Sequence, residues 1–258
     1  MVKVDNDWWK TLFDETYLIT DARTVCDENV TCREVDFVER LLRPKKTWPI
    51  LDLCGGQGRH ALELSRRGFQ DVTVLDYSEA LINLGREKAR KEGLDIPFVQ
   101  GDARDTGLPG QRFRIVMLMA SSFGYFVDEG EDRKILEDIF RLLMPKGLLL
   151  LDLPNREYVL KHFTPRSWHE ANEEIIVCRQ REVQGDITYG REMVISRHKG
   201  LIRDATYCTR LYSPEKITTL LTSVGFDSIT IKNNFISHEK REDYGLMTNR
   251  MIVVARKE

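Results

Sequence analysis

Short apolar runs and amphipathic segments alternate along the first part of this 258-residue chain. Apolar runs of strand length begin near residues 50, 72, 96, 113 and 148, and most are bounded by Gly, Pro or an acidic residue. The segments between several of them have apolar residues at helical spacing, and three of these segments end near a Gly. Strands and helices in turn predict a parallel, doubly wound α/β sheet with right-handed crossovers.

The N-terminal 46 residues have a different, purely helical pattern. Trp9, Phe13 and Tyr17 recur at helical spacing, which predicts an amphipathic helix. Its aromatic face either packs on the body of the domain or covers a ligand. A second helix is predicted to begin at Thr31 as N-cap, with Glu34 completing a capping box. We therefore expect residues 1–46 to form a helical lid.

The alternation of strand and helix ends after Asp152. Three segments rich in β-forming residues follow, separated by Gly185-Asp186 and by Gly200, and they predict an antiparallel ribbon of three strands. A helix capped by Ser213 and two closing strands complete the chain. We expect one domain over 1–258, with the ribbon at about 153–212 inserted to cover the substrate.

Composition and charge narrow the class of protein. The net charge is -2, so no global basic field points to a nucleic-acid partner. The N-terminus has no apolar signal core, and no window approaches the ~20 apolar residues of a membrane span. Five scattered cysteines fit a reducing compartment, and the histidines and cysteines lack metal-ligand spacing. The sequence predicts a soluble, cytoplasmic protein without a metal.

Three predicted strands are followed by an aspartate: Asp52, Asp76 and Asp102. Ligands of open α/β sheets bind beyond the carboxyl ends of the strands, so these carboxylates should surround one ligand. Asp76 lies about twenty residues past a glycine-rich loop, where a carboxylate accepts hydrogen bonds from both ribose hydroxyls. Asp102, with Ala103 beside it, is suited to accept a hydrogen bond from the exocyclic amine of adenine. The pattern indicates an adenosine cofactor.

The position of Asp52 separates the possible adenosine cofactors. The loop from Gly56 to Ala61 fits G-x-G-x-x-A, the pattern of a dinucleotide site. A buried carboxylate close to a pyrophosphate would be repelled by several kcal/mol in a low dielectric. Asp52 instead favours a cofactor with positive charge and no phosphate, as in the ammonium and sulfonium of S-adenosylmethionine. The amino-acid end of that cofactor can lie along glycines that present no side chain.

Four stretches carry a family resemblance: ILDLCGGQGRHALELSRRG, VTVLDYS, VQGDARD and LLMPKGLLLLD, in that order between about residues 48 and 152. They resemble the motifs of the class I S-adenosylmethionine-dependent methyltransferases. That family's glycine motif is an acid, one residue and then Gly-x-Gly-x-Gly. Here Cys54 replaces the first glycine, Gly55 takes the next position, and Gly56 and Gly58 match.

The resemblance implies a mostly parallel seven-stranded sheet whose last strand is antiparallel. It implies S-adenosylmethionine as methyl donor and S-adenosylhomocysteine as product, with Tyr77 against the adenosine and Met119 near the methyl-donor end. The expected cofactor-binding residues are Asp52, Cys54, Gly55, Gly56, Gly58, Asp76, Tyr77, Asp102, Ala103 and Met119.

Methyl transfer is an in-line displacement in which alignment supplies much of the rate, so a dedicated catalytic residue is not required and none is identified. We expect a small-molecule acceptor methylated at N or O. The family's Asn/Asp-Pro-Pro-aromatic motif is absent after the fourth strand, which disfavours a nucleobase acceptor. The candidate substrate residues are Tyr17, Ser122, Tyr125 and Asn155.

The predicted ribbon is rich in arginine: Arg166, Arg179, Arg181, Arg191, Arg197, Arg203 and Arg210. These residues either form a pocket for an anionic metabolite or, since acids are interleaved with them, a solvated sheet face. Two other functions stay open from the sequence. One is an NAD(P)-dependent oxidoreductase, which Asp52 opposes, and the other is a non-catalytic adenosine-binding module.

Overall fold

The computed structural model describes residues 2–240, 242 and 244–258, and eleven strands lie in that part of the chain. The first five are β1 (Ile50–Leu53), β2 (Val72–Asp76), β3 (Phe98–Gln100), β4 (Phe113–Leu118) and β5 (Leu143–Pro154). The next four are β6 (Arg166–Glu170), β7 (Ile175–Gln184), β8 (Ile187–Ser196) and β9 (Gly200–Arg210). The last two are β10 (Asp227–Phe235) and β11 (Arg250–Arg256).

Seven of these strands form one sheet in the order β10-β11-β5-β4-β1-β2-β3. Pairing is parallel from β5 to β3, and β11 runs antiparallel to both β5 and β10. The register places Ile50 opposite both Val72 and Ile115. This confirms the predicted α/β class, including the antiparallel last strand. The parallel register also brings the carboxyl ends of β1, β2 and β3 to one edge of the sheet.

Helices cover both faces of the sheet. They are α1 (Trp9–Leu12), α2 (Glu15–Thr20), α3 (Ala22–Val25), α4 (Glu28–Leu42), α5 (Arg59–Arg66), α6 (Glu79–Glu92), α7 (Glu129–Leu142), α8 (Arg156–Lys161) and α9 (Pro214–Val224), with a 3-10 turn at Gly245–Met247. One core contains Leu136 of α7 and Leu221 of α9, and the other contains Val38, Leu64 and Ile82 of α4, α5 and α6. None of the helices described has the length and apolar character needed to cross a membrane.

The N-terminal helices differ from their prediction. The predicted first helix is broken between α1 and α2, because the Asp14 side chain accepts a hydrogen bond from the Tyr17 amide and caps a new helix. The predicted capping box at Thr31 is wrong. Helix α4 begins at Glu28, where Asp27 accepts from the amides of Asn29 and Val30. An N-cap four residues earlier satisfies two free amides of the first turn, so Glu34 serves another purpose.

The inserted ribbon has four strands, whereas the sequence predicted three. Strand β6 pairs antiparallel with β7, and the four strands form a separate sheet in the order β6-β7-β8-β9. The sequence of β6, Arg-Ser-Trp-His-Glu, has little apolar alternation, and the side chain of Trp168 in its middle is exposed. A solvated edge strand of this kind carries no hydrophobic pattern by which the sequence could reveal it.

Candidate active site

A cavity opens at the carboxyl edge of the central sheet, where β1, β2 and β4 end. Twelve of the sequence-predicted site residues line it: Tyr17, Asp52, Cys54, Gly55, Gly56, Asp76, Tyr77, Asp102, Ala103, Met119, Ser122 and Tyr125. Gly58 and Asn155 do not line it. The aromatic residues Trp9 and Phe13 of the N-terminal segment close the cavity from the side opposite the sheet.

The glycine-rich loop is shaped by backbone geometry. Cys54, Gly56 and Gly58 have φ angles of 57°, 56° and 71°, in the left-handed region that favours glycine. Cys54 therefore holds a strained conformation at the position where the family motif has glycine. A Cβ on Gly55 would lie 2.9 Å from the carboxyl carbon of Asp52, so only glycine lets the loop pass so close to that carboxylate.

Gly58 has a packing role. A Cβ at this position would lie 2.7 Å from a ring carbon of Phe98 on β3. The absence of a side chain lets the start of α5 approach the sheet closely, as the third glycine of such motifs does in dinucleotide-binding folds. Gly58 thus supports the loop without facing the cavity.

Asp52 is the most unusual group in the site. Its side chain is 0% exposed, and neither carboxylate oxygen has a hydrogen-bond partner of normal geometry among the described residues. Burial raises its pKa to about 7, although the nearby positive charge of Arg59 and the Ala61 amide act in the opposite direction. An isolated buried carboxylate is costly, so this position calls for a cationic or hydrogen-bond-donating ligand.

The carboxylate of Asp76, unlike that of Asp52, has hydrogen-bond partners of normal geometry within the described chain. Its carboxylate accepts hydrogen bonds from the amide of Gly56 at 2.7 Å and from the amide of Ser78 at 2.8 Å. Burial nevertheless raises its pKa, and these amides oppose the shift. The neighbouring Tyr77 lies edge-on against Trp9, with ring centroids 4.7 Å apart. Asp76 therefore fixes the glycine loop while facing the cavity.

Asp102 has a partner within the chain. Its Oδ2 lies 2.6 Å from Nη2 of Arg104, whose Nη1 lies 2.5 Å from Glu131. The guanidinium sits 5.0 Å from the ring centres of both Trp9 and Phe126. Burial alone would raise the pKa of Asp102, but the hydrogen bonds and charge of Arg104 outweigh burial and hold the pKa below its usual value. Arg104 thus occupies much of the hydrogen-bonding capacity expected to meet adenine.

An aromatic wall forms the side of the cavity near the end of β4. Phe13 stacks on Tyr125 at 5.5 Å and meets Tyr17 edge-on at 5.1 Å. Burial raises the pKa of both tyrosines above the usual range. Both hydroxyls therefore stay protonated at neutral pH and are suited to donate hydrogen bonds. They are not suited to act as general bases.

The backbone after β4 is also strained. Ala120 and Ser121 have φ angles of 57° and 60°, which side-chain-bearing residues rarely adopt. The amide of Ala120 donates to the Asp152 carboxylate at 2.9 Å, and the amide of Ser121 donates to the Asp152 carbonyl at 3.0 Å. The Ser122 hydroxyl, predicted to meet substrate, donates to the carbonyl of Met119 at 2.8 Å. Asp152 therefore holds the turn after β4, where Met119 and Ala120 line the cavity.

A buried charge cluster that the sequence did not predict lies behind this turn. Arg250 is 0% exposed and pairs with both Asp152 and Glu34, its Nη2 lying 2.5 Å from Glu34. Glu34 also contacts Arg59 at 2.5 Å and His60 at 2.9 Å. Burial, together with Arg59, lowers the pKa of His60 to about 4, so the imidazole is neutral at pH 7. In sequence, the one signal was an arginine opening an apolar strand.

The prediction that Asn155 contacts substrate is not supported by its position. Its side-chain oxygen caps α8 by accepting from the Tyr158 amide at 3.2 Å, and its nitrogen donates to Asn249 at 3.0 Å. Both the oxygen and the nitrogen of the side-chain amide therefore form hydrogen bonds within the fold. In the described part of the chain, no three His, Cys, Asp or Glu side chains are grouped to hold a metal ion.

Comparison with known proteins finds a methyltransferase domain within the chain. The sequence model described as "Methyltransferase domain" matches residues 50–147. The chain is 26% identical over 195 residues to the putative methyltransferase YqeM of Bacillus subtilis, covering 74% of this chain and 78% of that protein. It is 28% identical over 209 residues to the glycine/sarcosine N-methyltransferase of Halorhodospira halochloris, covering 78% and 74% respectively.

A solved structure agrees with these matches. CalS10, described as an amino pentose methyltransferase of Micromonospora echinaspora with S-adenosylmethionine bound, superimposes with a TM-score of 0.67 at 19% identity. The match covers 96% of this chain and 99% of that one, which shows a shared fold. Residues 50–147 therefore form a methyltransferase domain, and the chain is an enzyme that uses S-adenosylmethionine.

Proposed function

We propose that this enzyme transfers a methyl group to the nitrogen of a small-molecule amine that carries no carboxylate or phosphate beside the amine. The observation that carries this proposal is the distribution of charge around the cavity. Among its described lining residues, Arg59 is the one permanently cationic side chain, while three aspartates face the same space. Such a cavity favours cations and offers an anionic acceptor little to bind.

The residues at the glycine loop fit the amino-acid end of the cofactor. Asp52 has two buried oxygens without partners, and Nη2 of Arg59 is buried without a hydrogen-bond partner in the described chain. An ammonium at Asp52 and a carboxylate at Arg59 would satisfy both groups. The cofactor, when bound, supplies an electrophilic methyl group on its sulfonium. A dinucleotide would instead bring its pyrophosphate towards Asp52.

The remaining cofactor contacts follow from the lining residues. Asp76 is assigned to the ribose, and the adenosine would lie between the end of β2 and Asp102. The other assigned contacts are Cys54, Gly55, Gly56, Tyr77, Ala103 and Met119. Gly58 is assigned to support of the loop, because its missing side chain serves the packing of α5 against Phe98.

The aromatic wall suits an amine acceptor. The faces of Phe13, Tyr17 and Tyr125 attract a cation or a polarised amine, and the two phenols can orient it by hydrogen bonding. An amine needs only to lose its own proton before attack, whereas a hydroxyl acceptor usually requires a positioned base. Since both phenols stay protonated and His60 is tied to Glu34, nitrogen is the favoured acceptor atom.

None of the seven ribbon arginines is among the described residues that line the cavity, so they give no support to an anionic acceptor there. Five of them also bind carboxylates or carbonyls within the fold. Arg179 and Arg203 pair with Glu192, Arg191 pairs with Asp204, and Arg197 pairs with Glu170. Arg210 uses its guanidinium on the carbonyls of Phe126 and Val127. The relative from Halorhodospira halochloris is named for glycine and sarcosine, which carry a carboxylate. The present chain is proposed to differ from it in this respect.

Matched pairs of amines and amino acids test the proposal. The purified enzyme would be incubated with methyl-labelled S-adenosylmethionine and with phenethylamine or phenylalanine, and with ethanolamine or serine. We expect label on nitrogen of the amines, with kcat/KM at least about tenfold above the matched amino acid, since a carboxylate would enter a cavity lined by acids. Preferential labelling of the amino acids, or labelling of oxygen, would contradict the proposal.

A further inference from the structure

The inner face of the ribbon contains a buried carboxylate between two arginines. Glu192 on β8 is 3% exposed. Its Oε2 accepts a hydrogen bond from Nε of Arg179 at 2.7 Å, and its Oε1 accepts one from Nη2 of Arg203 at 2.7 Å. Burial alone would raise its pKa, but the two arginines hold the pKa below its usual value. Glu192 is therefore ionised and fully engaged.

Each of these arginines also contacts the N-terminal segment. Nη2 of Arg179 lies 2.8 Å from the carboxylate of Asp21. Nη1 of Arg203 donates to the carbonyl of Leu12 at 3.0 Å and to the carboxylate of Asp14 at 2.9 Å. The two arginines thus fasten the N-terminal segment at residue 21 and at residues 12–14, and Glu192 aligns both.

The fastened segment carries part of the cavity wall. Phe13 lies within the first attachment point and Tyr17 lies between the two, and both residues line the cavity. Asp14 receives Arg203 and also caps α2 by accepting from the Tyr17 amide at 3.0 Å. On the opposite side, the Ser78 hydroxyl donates to the Phe13 carbonyl at 2.6 Å. A shift of the arginines would therefore move both aromatic side chains relative to the sheet.

We propose that Glu192 is a positioning residue that sets the acceptor wall, acting through Arg179 and Arg203 on the segment that carries Phe13 and Tyr17. The identity of this wall as the acceptor site rests on the proposed function. The claim that Glu192, Arg179 and Arg203 position the N-terminal segment depends only on the contacts described above. A buried cluster of charges is a poor source of stability but specifies one relative position of the parts that it joins.

The adjacent residue on β8 provides a matched control. Arg191 pairs with Asp204 on β9, both side chains are at least one-third exposed, and both belong to the ribbon. This pair joins an arginine to a carboxylate, as the Glu192 cluster does, and it lies on β8 and β9, two of the three strands that carry that cluster. In the described part of the chain its hydrogen bonds stay within the ribbon and do not reach the N-terminal segment, so its loss should leave the cavity wall in place.

The test compares Glu192→Gln with Asp204→Asn in the full-length enzyme. Glu192→Gln keeps the side-chain shape but removes the carboxylate that the two arginines share. We expect amide hydrogen exchange of residues 12–21 to rise at least about tenfold, with the sheet strands unchanged. With the best amine of the panel, KM for the amine should rise several-fold with a smaller change in kcat. Asp204→Asn should match the wild type in both measurements.

Two results would overturn the inference. One is unchanged protection of residues 12–21 in Glu192→Gln. The other is a rise of exchange that is equal in the segment and in the central strands, which would mean a general loss of stability. Should Glu192→Gln fail to fold, Asp14→Asn releases one attachment point while the ribbon stays intact, and it should raise exchange in the same segment. Absence of amine methylation would defeat the proposed function, while hydrogen exchange would still decide this inference.

Discussion

Two buried aspartates at the carboxyl edge of the same sheet behave in opposite ways. Asp52, the last residue but one of β1, lines the cavity, is 0% exposed and has no partner of normal geometry in the described chain. Asp152, near the end of β5, is equally buried but pairs with Arg250 and accepts the Ala120 amide. Both carboxyl pKa values are raised, to about 7 for Asp52 and about 6 for Asp152, and burial is the main cause in each.

The presence or absence of a partner distinguishes a carboxylate that stabilises the fold from one that is available to a ligand. A buried charge that is paired can be removed only by disturbing the fold, because its partner is then left alone. A buried charge without a partner costs the folded state free energy, and a cationic ligand can recover that cost. Asp52 is therefore proposed to bind the cofactor, whereas Asp152 holds the turn at Ala120 and Ser121.

The largest effect on stability is expected when Arg250, the partner of Asp152, is replaced. Arg250→Met leaves Glu34 and Asp152 buried without their shared counter-charge, so we expect the free energy of unfolding to fall by about 3–5 kcal/mol. Urea unfolding followed by circular dichroism measures this change. The double variant that adds Asp152→Asn should recover part of the loss, since Glu34 keeps Arg59 as its partner. If Arg250→Met were as stable as the wild type, the proposed difference between the paired Asp152 and the unpaired Asp52 would be wrong.

Asp52→Asn tests the unpaired side and should give the opposite result for stability. We expect affinity for S-adenosylhomocysteine to fall about 100-fold, because a charge-assisted contact to the ammonium is lost. At pH 8 the free energy of unfolding should rise by about 1–3 kcal/mol, because a buried, unpaired charge is removed. Calorimetric titration and urea unfolding measure the two quantities. A variant that binds as tightly as the wild type would show that Asp52 does not meet the ammonium.

The pH dependence of the wild type sharpens this contrast. The pKa of Asp52 is about 7 in the folded chain and about 4 in the unfolded chain. Between these values the folded state binds more protons, so the contribution of Asp52 to stability decreases as pH rises from about 4 to about 7. Cofactor affinity changes in the opposite direction. It should fall up to about tenfold per unit below pH 7, because the ammonium requires an ionised carboxylate.

The wild type and Asp52→Asn would be compared at each pH, so that the contributions of Asp132 and Asp152, whose pKa values are also raised by burial, cancel. Both trends should flatten in the variant. Equal slopes in the two proteins would assign the pH dependence to another group.

The smallest expected effect concerns an exposed pair. Asp204→Asn removes the partner of Arg191 on the outer part of the ribbon, where solvent screens the interaction. We expect no measurable change in thermal unfolding or in cofactor affinity. A clear loss of stability would mean that exposure does not distinguish the weak pairs from the architectural ones in this enzyme.

The sequence by itself determined the sheet, its carboxyl edge and the cofactor chemistry. The strand and helix periods are local, and parallel strands must bring their carboxyl ends to one edge, so Asp52, Asp76 and Asp102 were placed together without coordinates. The same local information supplied the glycine loop. It could not separate Gly58, which faces Phe98, from the glycines that face the cavity.

The tertiary structure alone decided which charged and polar groups have partners within the chain. Glu34 meets Arg250 across 216 residues, and Arg179 meets Asp21 across 158. The side chain of Asn155 donates a hydrogen bond to Asn249 and does not line the cavity, and the carboxylate of Asp102 accepts one from Arg104. Pairing of this kind depends on distance in space and not on local periodicity, because any acid of the chain could in principle meet any base. Sequence therefore placed the charges along one edge, and folding decided which of them remained available to a ligand.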